Sequence, residues 1–311
     1  MACTAGWLIT GALLLTAACG DDDGAGSGGG GSAAPPAVVA TLGLWADVVD
    51  RVACDGLEVT TLVPAGADPH GFEPSLADRA RLGEAALVVA NGLMLEESLA
   101  DTIEAAEDDG TPVFRIGEHV DTIGAAPGED GHEHDGADPH FWFDPTRVSA
   151  ALPALGEALA TATGLDEAAI EGCVARYQDE LAAADAEVAA ILGEVPEPQR
   201  KLVTTHASLT YLADRYGFEV IGTVIPGTST LAEAGPASLE ALARAVEAAG
   251  VGAVFVEEGQ AVDDVRALAE RVGDVEVVTL ATDTLGEPGT ATDSYIGLLV
   301  TAARLIANGL T

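Results

Sequence analysis

Residues 166–195 read DEAAIEGCVARYQDELAAADAEVAAILGEV. Apolar side chains recur at Ile170, Val174, Tyr177, Leu181, Ala184, Val188 and Ile191, the three-and-four spacing of one helix face. A helix of this length spans on the order of 40 Å, enough to run across the backs of two lobes. Pro196 and Pro198 end it. On either side the pattern changes to short β-prone runs separated by amphipathic stretches. AVVATLGLW, LEVTTLVP, ALVVANG and PVFRIG read as strands before the long helix, and KLVTTH, EVIGTV, AVFVEE and VEVVTLAT read as strands after it. Helices lie between them, for example Ser75 to Glu84 and Pro236 to Ala249. Alternating strands and helices predict an α/β fold of parallel sheets flanked by helices. The expected organisation is two such lobes, residues 37–165 and 196–311, joined by the single helix of 166–195.

Composition excludes several classes of function. The chain has 311 residues, with 51 Asp and Glu against 13 Lys and Arg, for a formal charge of -38. Nucleic-acid binding needs a basic stripe that this balance does not offer, and an anionic membrane surface would repel it. With 48% hydrophobic residues and a mean hydropathy of +0.27, the chain can bury a core.

Residues 1–19 read as a secretory signal. The run WLITGALLLTAA from Trp7 to Ala18 has the length of a signal core and is too short to span a bilayer. It ends at Cys19 after small residues, so either Cys19 becomes the lipidated first residue of the mature chain or this is an ordinary cleaved signal. Residues 20–36, GDDDGAGSGGGGSAAPP, form a flexible tether. In an exported protein the two remaining cysteines, Cys54 and Cys173, are candidates for a disulfide; neither has a second Cys or His at metal-ligand spacing.

Chemistry concentrates in a local pattern that occurs twice. ADPHGFEPS spans 67–75 and ADPHFWFDPT spans 137–146. Each has Asp-Pro-His, an aromatic, then an acid-Pro-Ser/Thr helix start. His70 and His140 are thereby presented from stiffened loops. His206 follows KLVTT and is expected to open a helix directly, and Asp283 follows VEVVTLAT. His70, His206 and Asp283 all come after the carboxyl end of a predicted strand, where open α/β sheets bind ligands. Three imidazoles and one carboxylate suit Zn²⁺. Residues 117–138 form a Gly- and acid-rich loop carrying His119, His132 and His134; it reads either as a solvated loop or as a weak auxiliary capture site for metal.

ADPHGFEPS, the His-bearing loop running into DPHFWFDP, THASLTYLADRYGF, and ATDTLGEPG with TDSY after it, in that order, resemble the metal-binding (cluster A-I, zinc/manganese type) solute-binding proteins of ATP-binding-cassette (ABC) importers. The resemblance covers nearly all of Val38 to Leu310. It implies two α/β lobes with the metal held between them by His70, His140, His206 and Asp283, and it casts Glu73 as the residue that holds an imidazole in its tautomer. Manganese-selective members tend to carry a carboxylate where this chain has His206, which points to zinc as the transported substrate. The implied partner is an ABC permease, with a metallochaperone as a further candidate and a lipid anchor holding a monomer at the membrane. The alternatives are a manganese-binding homologue, or a secreted zinc hydrolase. Four available protein ligands and the lack of an HExxH helix weigh against the hydrolase.

Overall fold

The structure is a computed structural model and describes residues 37–125, 136–258, 262–273 and 275–311. The signal, Cys19, the tether, His132 and His134 lie outside the described residues. The first lobe is built on strands β1 (Val38–Ala40), β2 (Val59–Thr61), β3 (Leu87–Ala90) and β4 (Val113–Arg115), paired in parallel in the order β2-β1-β3-β4. The second is built on β5 (Lys201–Thr204), β6 (Glu219–Thr223), β7 (Ala253–Glu257) and β8 (Glu276–Leu280), paired in parallel in the order β6-β5-β7-β8. The two sheets have the same topology. In each, the chain order reverses between the first and third strands, which opens a crevice at their carboxyl ends.

The central strands read as unbroken apolar runs because helices cover both faces of a parallel sheet; every residue of β1, β3 and β7 is buried. The strand expected over AVVATLGLW is shorter than the apolar run suggested. Only Val38–Ala40 joins the sheet, and Gly43–Val52 is helix α1. Its buried residues Leu44, Trp45, Val48, Val49 and Val52 carry helical spacing that abuts the strand without a break in hydrophobicity. Helix α2 (Leu76–Glu84) starts at Ser75, whose side chain and that of Asp78 form a reciprocal capping box. Helix α3 (Ala100–Asp108) follows β3.

Helices α4 (Pro145–Thr163) and α5 (Glu167–Gly193) are the backbone of the molecule. Asp166 caps α5 by accepting from the Ala169 amide at 2.8 Å. The apolar stripe of α5 is buried from Ile170 to Val188 as its spacing requires, but at its end Leu192 takes the buried place and Ile191 is only half-buried. A Cβ at Gly156 would come within 2.9 Å of Ile170 and 3.1 Å of Val174, so glycine lets α4 and α5 close together. Helices α6 (Thr210–Tyr216), α7 (Pro236–Ala249) and α8 (Val262–Val272) surround the second sheet, and α9 (Tyr295–Leu310) packs back on α5. One apolar cluster runs from β1 through α4 and α5 to α9 and β7, so the lobes share a core along the long helix. Cys54 and Cys173 form a disulfide that ties the end of α1 to α5. No helix among the described residues is long and apolar enough to cross a membrane.

Candidate metal centre

The loop after β2 carries His70. The preceding proline limits the backbone, and Asp68 Oδ1 accepts the His70 amide at 2.9 Å. The second Asp-Pro-His begins in the same way, with Asp138 Oδ1 accepting the His140 amide at 2.9 Å. Thereafter the two copies diverge. Asp138 Oδ1 also accepts from His140 Nδ1 at 2.8 Å, whereas Asp68 turns its other oxygen to the Thr230 hydroxyl at 2.6 Å. The imidazole partner of His70 is instead Glu97, with Oε1 3.2 Å from Nδ1.

The acid-Pro pairs differ too. Asp144 is the N-cap of α4 with Pro145 at its first position, while Glu73 and Pro74 precede the Ser75 cap of α2. Glu73 is exposed, and Glu97 occupies the position expected for it. The extra residue in the second copy moves the acid into the helix cap, so the two acids are not equivalent.

His206 lies just beyond β5. The helix expected to open there begins four residues later, at Thr210. The intervening groups are taken up locally: the Thr204 hydroxyl donates to the His206 carbonyl at 2.5 Å, and the Ser208 hydroxyl donates to Glu257 Oε1 at 2.6 Å. Glu257, the last residue of β7, sits with Oε2 2.5 Å from His206 Nδ1. β5 and β7 are the neighbours at the topological switch of the second sheet, so His206 and Glu257 occupy its ligand crevice. Asp283 follows β8 by three residues.

These loops converge. His206 Nε2 and His140 Nε2 are 3.0 Å apart. Ring centroids of His70 lie 5.6 Å from His140 and 5.5 Å from His206. One ligand atom each from His70, His140 and His206 falls within a mutual 4.8 Å, as does one each from His206, Glu257 and Asp283. All five side chains are buried. Among the described residues, His70 Nε2 and Asp283 Oδ1 have no hydrogen-bond partner, a costly state for buried polar atoms. His119 stands apart: it is exposed and stacks on Phe114 at 4.5 Å.

A carboxylate accepts only, so an imidazole facing one at Nδ1 carries a proton there and turns Nε2 inward toward the centre. Burial works to lower the His206 pKa, but the Glu257 carboxylate beside it prevails and pushes it up to about 9. Burial likewise acts to raise Glu257, yet the His206 charge and the Ser208 bond hold it below its ordinary value. Burial, then the nearby Glu257 charge, pushes Asp283 up. A buried cluster of three imidazoles and two carboxylates can exchange the proton it holds for a cation.

Several hydrogen bonds cross between the lobes around this point. Trp142 Nε1 donates to the Thr282 carbonyl at 3.0 Å, and Tyr211 donates to the Asp138 carbonyl at 2.8 Å while accepting from the Ile123 amide at 2.9 Å.

Residues 38–309 match the family described as ZnuA, zinc-uptake complex component A periplasmic. The chain belongs to this family. As a ZnuA-family member it is an extracytoplasmic metal-binding component of an ABC importer and not an enzyme. It is 29% identical over 267 residues to the zinc-binding protein TroA of Treponema pallidum, covering 84% of each chain. It is 26% identical over 266 residues to the manganese-binding lipoprotein MntA of Bacillus subtilis, covering 84% of this chain and 85% of the relative. The solved structure of TroA superposes with a TM-score of 0.80 at 28% identity, covering 89% of this chain and all of that one. The family's zinc and manganese branches are thus both similar to this chain.

Sequence reasoning missed Glu97 and Glu257, and passed over Asp138 as part of a loop motif. Glu257 had a usable signal, since it ends a predicted strand just as the other candidates follow one. Glu97 had none, because it opens a three-residue 3-10 helix between β3 and α3 whose placement depends on the fold.

Proposed function

We propose that this protein captures Zn²⁺ between its lobes with His70, His140, His206 and Asp283 and delivers it to the permease of its importer. The observation that carries the reading is the pair of Nε2 atoms facing each other at 3.0 Å, each backed by a carboxylate at Nδ1. Two ligands of a tetrahedral zinc at its usual bond length stand about 3.3 Å apart, so little movement is needed to place an ion between them. Three nitrogens and one oxygen are the donor set that zinc favours over harder cations. His70 and His140 come from the first lobe and His206 and Asp283 from the second, so the ion links the lobes, and release requires the permease to part them.

A second reading, manganese, is favoured by one observation: Glu257 offers a further carboxylate oxygen in the same cluster, which suits a harder ion of higher coordination. Metal analysis of the purified protein, followed by competition titration of Zn²⁺ against Mn²⁺, decides between them. Zinc bound at least about tenfold more tightly supports the first reading, and the reverse order replaces it with the second.

Around this core function, Cys19 carries the lipid that holds a monomer at the membrane, and His119, His132 and His134 collect metal weakly for transfer to the centre. Mass spectrometry of the mature protein tests the lipid directly.

A further inference from the structure

A small polar pocket opens beside the metal centre, between the loop after β2 and the loop after β8. Its walls include Gly66 and Asp68 from the first lobe and Thr282, Asp283 and Thr284 from the second, with Glu258 at the side. No lysine or arginine is among the described residues that line it. Asp283 is 6% exposed and lines the pocket, and its buried Oδ1 has no hydrogen-bond partner among the described residues. Glu258 is exposed, one residue beyond Glu257 at the end of β7. Two hydrogen bonds cross between the lobes at this side. The Gly66 amide donates to Thr284 Oγ1 at 2.9 Å, and the Thr230 hydroxyl donates to Asp68 Oδ2 at 2.6 Å.

The geometry points to this pocket as the way in for the metal ion, with Glu258 and Asp68 holding the hydrated divalent cation at the mouth before Asp283 draws it to the histidines. The inference rests on the metal-centre reading above and adds a route and two residues to it. Asp283 belongs to both the pocket and the centre, so an ion held at the mouth has one carboxylate to pass along. A negatively lined cleft with low-dielectric walls concentrates cations and raises their association rate. The two cross-lobe bonds keep the pocket narrow without occupying Asp283; one of them ends on Asp68 Oδ2, so Asp68 acts through its charge while Glu258 meets the ion's water. Once the cation has lost its water to the imidazoles, the mouth carboxylates contribute little to holding it. Their effect therefore falls on association and not on dissociation.

The test is stopped-flow binding of Zn²⁺, followed with a metal indicator, for the full mature protein and two variants. Glu258→Gln removes a charge at the mouth. Glu276→Gln removes one at the amino end of β8, at the opposite end of the strands from Glu258, and controls for net charge. We expect Glu258→Gln to slow association at least about threefold at low salt, with the difference shrinking at high salt. Dissociation should stay within about twofold of the parent, and Glu276→Gln should match the parent in both rates. An unchanged association rate in Glu258→Gln, an equal slowing in both variants, or a change confined to dissociation overturns the inference while leaving the centre in place. Absence of tight zinc binding in the parent protein overturns the centre itself.

Discussion

Glu257 Oε2 lies 2.5 Å from His206 Nδ1 in a fully buried setting, and this pair sets the proton balance of the metal centre. The carboxylate keeps a proton on the imidazole well above the pH at which a free histidine would lose it. With His140 Nε2 3.0 Å from His206 Nε2, the extra proton lies where the metal would go. Metal and proton compete for the same lone pairs.

Metal affinity should therefore fall as the pH drops. The His206 pKa is about 9 in the folded protein, so below that value each captured ion displaces a proton, and the apparent dissociation constant should rise by about tenfold per unit of pH. Competition titration at pH 6, 7 and 8 measures this; a flat profile would show that no proton is displaced. In the metal-free protein the sign for stability is fixed by the same shift. A folded pKa above the unfolded one stabilises fully below about pH 6.5 and is lost as the pH rises toward 9. The metal-free melting temperature should accordingly decline across that window, apart from other titrations.

His140→Ala should weaken zinc binding at least about tenfold while the far-ultraviolet circular dichroism stays that of the parent. The fold persists because the amide of residue 140 can still bond Asp138 Oδ1. An unchanged dissociation constant would remove His140 from the ligand set.

Glu257→Gln separates the two metals. If Glu257 acts only through His206, zinc and manganese should weaken together, by about 10–100-fold. If it is itself a ligand for the harder ion, manganese affinity should fall by at least a further tenfold relative to zinc. Paired titrations of the parent and the variant read the ratio.

Replacing Cys54 and Cys173 together by Ser should lower stability by about 2–5 kcal/mol, since the bridge closes a chain separation of 119 residues. Helix α1 starts at the carboxyl end of β1 and runs back, which places Cys54 at the far edge of the sheet from the centre. Zinc affinity at saturating fold should therefore stay within about twofold of the parent, while the urea midpoint drops.

Deleting residues 126–135, which carry His132 and His134, should slow growth-supporting uptake at scarce zinc and leave the tight site titratable. Ile123 and Asp138, both bound by Tyr211, are kept in this deletion, so the loop ends stay anchored. A deletion protein with no tight site would show that the loop helps to form the centre.

The alternation of strands and helices, the long central helix and the placement of His206 and Asp283 just beyond strands were all legible in the chain, because periodicity and the topology of parallel sheets are local or nearly local rules. The doubled Asp-Pro-His was legible because a proline and an aspartate act on the very next residue: both copies bond the histidine amide to the aspartate at 2.9 Å. The partners of the remaining polar atoms in each copy were not legible. Asp138 turns to its own imidazole, while Asp68 reaches Thr230 across 162 residues and leaves His70 to Glu97. The Asp68 contact depends on which loop of the other lobe faces it, and the Glu97 contact on how the first lobe packs. The carboxylates behind His70 and His206 come from distant segments of the same lobe, and only the meeting of the two lobes set His140 Nε2 against His206 Nε2, since such contacts follow distance in space and the chain records only distance along itself.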